Sequence, residues 1–230
     1  MGHPLAGTLF VSRCSRAFRC FMFYPAPGRG EACLSLLSFD GMIKAREELS
    51  RRMPLQRFTP TVILLKIMGN LLSRPQYNEL NSRVDQDIVI TYENVNAALP
   101  IYREKGRTTV IVVDDVNRKP VEQLSLEVRS AKEGTDYSKA TFLLVNLGVM
   151  GIDAISGISL PGIASSVAIG RIRKGLIYDE ARDRTVTANI AWVTLTVDPR
   201  VVGPDVVGSF MADLASILLK DKLVLQILEA

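Results

Sequence analysis

The chain has 230 residues, 47% of them apolar, and a formal net charge of +4. That apolar content supplies a sizeable core and fits one globular domain of ordinary composition, with no apolar run near the roughly 20 residues of a membrane span. The mild positive charge suits an anionic small-molecule partner or simply a solvated basic surface, and gives no ground for expecting a nucleic-acid partner.

Residues 1–30 carry Arg13, Arg16, Arg19 and Arg29 and no acid before Glu31, with Leu9, Phe10, Val11, Phe18, Phe21 and Phe23 between them. Such a start reads as an N-terminal arm over residues 1–32 or as an organelle transit peptide. The single histidine, His3, sits beside Pro4 at the terminus, so the body of the chain has no imidazole for a triad, a thiol pair or a metal cluster. Cys14, Cys20 and Cys33 lack C-x-x-C spacing and nearby ligands, so neither a zinc site nor a disulfide framework is expected. The core domain spans residues 33–230.

Cys33 to Phe39 reads as a strand, and Asp40 is a candidate cap for a helix whose inner face is Met42, Ile43, Ala45 and Leu49. Pro60 to Ser73 is a helix too evenly apolar for a surface position, ended by Pro75. Strands follow at Asp87 to Tyr92, Val95 to Ile101 and Arg107 to Val113, the last two joined by the polar turn Arg103-Glu104-Lys105-Gly106. A helix opening at Pro120 turns Val121, Leu124, Leu126 and Val128 inward. Thr141 to Gly151 is a strand running into a glycine-containing loop, and Ser166 to Ile172 is a further strand. Thr185 to Ile190 and Trp192 to Val197 supply the last two strands, the second stopped by Asp198-Pro199. From Asp205, placed to cap or lie in the first turn, Val206, Val207, Phe210, Leu214, Ile217 and Leu218 recur at helical spacing.

The corner D-P-R-V-V-G-P, from Asp198 to Pro204, resembles the D-H-R-x-x-D-G corner of dihydrolipoamide acyltransferases, the core subunits of 2-oxoacid dehydrogenase complexes. Asp198 and Arg200 match, while Pro199 stands at the family's histidine and Gly203-Pro204 at its Asp-Gly. T-F-L-L-V-N-L-G-V-M-G resembles the family's T-F-T-I-S-N-L-G-x-x-G through Phe142, Asn146, Leu147, Gly148 and Gly151, with Val145 at the serine. Glu79-Leu80-Asn81 is similar to its E-L-N, and Arg118, Lys119 and Glu122 to its R-K-S-L-x-E. Pro4-Leu5-Ala6-Gly7 resembles its P-L-x-G opening.

The resemblance implies an α/β fold of the chloramphenicol-acetyltransferase-like kind, a mixed sheet flanked by helices and assembled as a trimer. Active sites there lie between subunits, and the catalytic corner of one faces the other half of the site on the next. It implies acyl transfer between dihydrolipoamide and coenzyme A: the histidine takes the thiol proton and the serine hydroxyl stabilises the oxyanion. Pro199 and Val145 supply neither function. Loss of the base forfeits on the order of 10² to 10⁴ in rate, and loss of the oxyanion donor roughly 10² to 10³ if it acts independently. Asp198, Asp205, a lysine or an active neighbour's histidine are the candidate substitutes for the base.

Arg118, Lys119 and Arg200 are candidates for coenzyme A phosphates, with solvated cations as the alternative. The expected function is a catalytically degenerate core subunit with an assembly role, as a homotrimer or larger homo-oligomer, or together with an active paralogue. The alternatives are an acyltransferase with a rearranged site and an acyl-CoA-like ligand-binding protein. No metal and no covalently bound cofactor are expected, and no segment matches a lipoyl or peripheral-subunit-binding domain. The expected compartment is the cytoplasm, or the mitochondrial matrix if residues 1–30 are a transit peptide. The apolar C-terminus, with Leu223, Leu225, Ile227 and Leu228, either inserts into a neighbouring trimer or folds on its own domain.

Overall fold

The computed structural model describes residues 10–13, 30–86, 88–102, 108–131, 134–155, 158–179 and 183–230. The arm and its P-L-x-G motif, His3, Cys14, Cys20 and the turn at residues 103–106 lie outside these, apart from one short strand. In chain order the elements are β1 (Phe10–Arg13), β2 (Glu31–Ser38), α1 (Asp40–Arg52), α2 (Pro60–Leu72), β3 (Ser82–Asp85), β4 (Ile88–Thr91), β5 (Ala97–Tyr102) and β6 (Thr108–Val113). There follow α3 (Val121–Ser130), β7 (Phe142–Asn146), β8 (Ser165–Ile169), β9 (Arg173–Asp179), β10 (Arg184–Val197), α4 (Pro204–Leu219) and α5 (Asp221–Leu228). Two 3-10 turns, Pro75–Leu80 and Gly148–Met150, connect α2 to β3 and follow β7.

Seven strands form one mixed sheet in the order β2-β10-β8-β7-β5-β6, with β9 paired to the first half of β10. The β5–β7 and β7–β8 pairs are parallel and the others antiparallel. A smaller sheet, β1-β4-β3, lies apart. Strand alternation divides the large sheet into two faces. Phe142 and Leu144 of β7, with Ala191, Val193, Leu195 and Val197 of β10, enter the core shared with the helices. Leu143 and Val145 point the other way, into a second cluster with Ala98, Leu147, Ile163 and Ala168. Ile152, Ile158 and Leu160 pack against part of that second face, where Thr194 Oγ1 donates to Ile155 O (2.6 Å) and Ser166 Oγ to Ile158 O.

Helix α2 meets the expectation of burial on most sides. Its residues from Val62 to Gly69 are all buried, Pro60 opens it, and the Thr59 side chain accepts from the Val62 N–H (3.3 Å). Even Lys66 is buried, its ammonium donating to Lys119 O at 2.9 Å. In α4, Phe210 packs edge-on to Tyr77 with ring centroids 5.3 Å apart, and Leu214, Ile217 and Leu218 complete the buried stripe.

Several expectations need correction. The last two strands are one: nothing at Ala191 breaks the ladder, and β10 runs unbroken because β9 pairs its first half while β2 and β8 flank its second. Strand β9, absent from the sequence reading, alternates Lys174, Leu176 and Tyr178 on one side, opposite Asn189, Thr187 and Thr185. Asp40 does not cap α1; Phe39 holds the cap position, and the Asp40 carboxylate accepts from the Asn189 backbone N–H (2.9 Å) and Nδ2 (2.6 Å). In α3 Leu126 is 59% exposed, and Ser125 takes the inward place by donating to Arg57 O (2.8 Å). Of the two readings left open for the C-terminal apolar run, packing on its own domain is the one seen, with Val224, Ile227 and Leu228 of α5 buried against the α1 and α2 layer.

Candidate functional site

The corner forms where β10 outruns its partner. After the last pair, Val197 with Ser165, the Asp198 N–H still donates to Ala164 O at 2.8 Å. The chain then turns, and the N–H groups of Val201 and Val202 both donate to Asp198 O (3.0 Å each). Arg200 closes back on Asp198 as a fork: Nε to Oδ1 at 2.9 Å, Nη2 to Oδ2 at 2.6 Å, and its backbone N–H to Oδ1 at 3.0 Å. Nη1 of Arg200 also donates to Gln86 O (3.3 Å), which ties the corner to the β3–β4 hairpin. This bidentate pairing is the geometry in which arginine and carboxylate recognise each other best. The frame of the corner therefore stands, with Pro199 between its two members offering neither N–H nor a titratable group.

Helix α4 starts at once. Gly203 is its N-cap, Pro204 its first residue, and Asp205 lies in the first turn, not at the cap. Its Oδ1 sits 2.6 Å from where a Cβ on Gly203 would be, so glycine is what lets the carboxylate fold back over the cap. Glu79 shares this neighbourhood: burial first, and then the Asp205 carboxylate, push its carboxyl above the ordinary range. Glu79 was legible as part of the E-L-N match, but its proximity to Asp205 was not.

Val145 lies elsewhere. It is 0% exposed, pairs with Ala168 of β8, and belongs to the apolar cluster on the face away from the helices. The corner attaches to Ala164, four residues before Ala168 and so about 13 Å away at the strand rise. Within one chain Pro199 and Val145 are too far apart to act on a single carbonyl carbon. Asn146, the next residue, turns to the helix side: Nδ2 donates to Thr61 Oγ1 (2.8 Å) and Oδ1 accepts from the Gly148 N–H (3.0 Å). Gly151, at φ +73°, holds the left-handed position that ends this loop.

The three cations proposed for coenzyme A each face a carboxylate. Lys119 Nζ meets Glu127 at 2.7 Å, Arg118 lies 3.8 Å from Glu93, and Arg200 is held by Asp198. Among the described residues no group of three or more histidine, cysteine or acidic side chains is placed to hold a metal, and no helix is long and apolar enough to cross a membrane. Cys33 is free and half-buried.

Comparison with known proteins bears on the family and the fold. The chain is 25% identical over 185 residues to the dihydrolipoyllysine-residue acetyltransferase component of the pyruvate dehydrogenase complex of Zymomonas mobilis, a match covering 76% of this chain and 41% of that protein. It thus spans less than half of that relative. The structure is similar to the dihydrolipoamide acetyltransferase of Azotobacter vinelandii (TM-score 0.74, 16% identity, covering 86% of this chain and 85% of the other). It is also similar to the cubic core of a pyruvate dehydrogenase multienzyme complex (TM-score 0.71, 16% identity, covering 92% and 97%). These structures share the expected mixed sheet flanked by helices. Residues 33–226 match the family described as 2-oxoacid dehydrogenases acyltransferase (catalytic domain), and a match over that much of the sequence means that the chain belongs to this acyltransferase family.

Proposed function

We propose that this chain is an acyltransferase-fold core subunit that builds an oligomer, a homotrimer or a mixed assembly with an active paralogue, and does not itself transfer acyl groups. The observation that carries this reading is Val145: at the family's serine position stands a side chain with no donor, fully enclosed in an apolar cluster. Pro199, at the position of the base, adds to it.

The assembly role is supported by apolar surface left on the face away from the helices. Leu36 pairs across the sheet with Trp192, and Leu34 lies beside them; these are 43%, 36% and 43% exposed. On the other face of the β9–β10 ribbon, opposite Thr187 and Thr185, Leu176 and Tyr178 are 73% and 59% exposed. A two-stranded ribbon with such side chains is stable only when something covers it. The separation of Pro199 from Val145 points the same way, because a site uniting the two positions takes two chains. That one of the similar structures is a cubic core supports an assembling role further.

Incubation of the purified protein with acetyl-CoA and dihydrolipoamide, followed by thioester exchange, tests the reading. The wild type is expected to stay at background while sedimenting as a trimer or larger. A Pro199→His, Val145→Ser double variant run beside it is expected to regain little turnover, because residue 145 is enclosed in the apolar cluster. Turnover by the wild type above background overturns the proposal. The second reading, retained transfer with a substitute base, draws on Glu79 and Asp205, whose carboxyls share the corner. Loss of that turnover in Glu79→Gln would assign it.

A further inference from the structure

On the helix side of β7, opposite the face that buries Val145, an open cleft of about 520 Å³ runs between the start of α2, the end of α3 and the ends of β5 and β6. Its size falls in the range of about 300 to 1,000 Å³ typical of small-molecule sites. Leu99, Ile111, Val128 and Leu144 form its walls, and Ile172 stands at its mouth. Thr61 and Asn146 supply its polar end.

Asn146 Oδ1 is taken by the Gly148 N–H, which fixes the amide so that Nδ2 donates to Thr61 Oγ1. Among the described residues Thr61 has no acceptor for its own hydroxyl hydrogen, and the second Nδ2 hydrogen of Asn146 has none either. Thr61 Oγ1 and Asn146 Oδ1 each keep a second lone pair, and the two unpaired hydrogens beside them are what a ligand's acceptor oxygen would satisfy. Arg171 at the rim is balanced by Asp153 at 3.0 Å, so the cleft brings no net charge with it.

We propose that this cleft binds an acyl group, its aliphatic chain between Leu99, Ile111, Val128 and Leu144 and its carbonyl oxygen accepting from Thr61 Oγ1 and Asn146 Nδ2. A free carboxylate and a thioester carry the same acceptor, so the recognised chemistry is the acyl group itself. The inference does not rest on the loss of catalysis proposed above, because the cleft lies on the other face of β7 from Val145.

Titration calorimetry on the full chain tests it, with butanoate, hexanoate, octanoate and S-octanoyl-N-acetylcysteamine as probes. Octanoate or its thioester is expected to bind, with affinity rising about fourfold per methylene along the carboxylate series. The tighter of the two identifies the source of the acyl group. Octylammonium, whose head only donates and leaves both hydrogens unmet, is expected to bind more weakly than octanoate. Thr61→Val is expected to weaken octanoate about fivefold, the worth of one hydrogen bond. Val128→Trp is expected to block the cleft, and Ile172→Trp does so at the mouth if Val128→Trp melts early. Failure of both octanoyl probes to bind at millimolar concentration, octylammonium binding as tightly as octanoate, or affinities unchanged in Thr61→Val and a folded tryptophan variant would overturn the assignment.

Discussion

Replacing Val145 with serine alone separates a position absorbed into the core from one that still opens on a reaction channel. Val145 is 0% exposed and clustered with Ala98, Leu143, Leu147, Ile163 and Ala168, none of which offers a side-chain partner for a hydroxyl. Serine lacks the two methyl groups of valine, and each buried carbon contributes about 0.8 kcal/mol. The new hydroxyl enters an apolar site where an unmet hydrogen bond costs about 1–3 kcal/mol. Together these give a loss of about 3 kcal/mol, or about 6–12 °C in melting temperature for a domain of this size. Thermal and urea unfolding of Val145→Ser against the wild type reads this directly, with Val145→Ala as the control that removes the methyl groups without adding the hydroxyl. A serine variant as stable as the wild type would mean that the position is solvated and would refute the packing argument on which the degenerate-subunit reading rests.

The remaining predictions concern contacts the fold depends on. Asp40→Ala removes the acceptor for both Asn189 hydrogen bonds and is expected to cost about 2–3 kcal/mol, with Asp40→Asn recovering part of it; chemical denaturation measures both. Burial holds the Lys66 ammonium below its ordinary value of 10.5, the Glu122 carboxylate offsetting this in part. The unfolded chain therefore keeps a proton that the folded chain has lost in the window just below 10.5, so stability gains from Lys66 as pH rises through it. Lys66→Met is expected to remove that gain, seen as a flatter urea midpoint from about pH 8 to about pH 10. Gly170→Ala would place a Cβ 1.7 Å from Asp153 O and is expected to cost at least about 2 kcal/mol, seen as a lower melting temperature.

The sequence by itself determined a good deal. The even apolar run from Val62 to Leu72 dictates a buried helix, and the alternation ending at Asp198-Pro199 dictates a strand and a corner, because periodicity and proline act locally. Asp198 and Arg200 as a frame, Pro199 at the histidine position and Val145 at the serine position were legible through the resemblance of these two stretches to the family's motifs, not through periodicity. Only the tertiary structure decided which groups meet. Asp40 looks like a helix cap from its neighbours, yet its carboxylate serves Asn189, 149 residues away, because β10 runs beside the start of α1. Asn146 finds Thr61 across 85 residues, and no spacing in the chain announces that pair. Whether Val145 faces the helices or the open side, and that the corner meets β8 at Ala164, about 13 Å along the strand from Val145's partner Ala168, follow from strand register. Register is set by the competition of all the strands for neighbours, and no single stretch of sequence carries it.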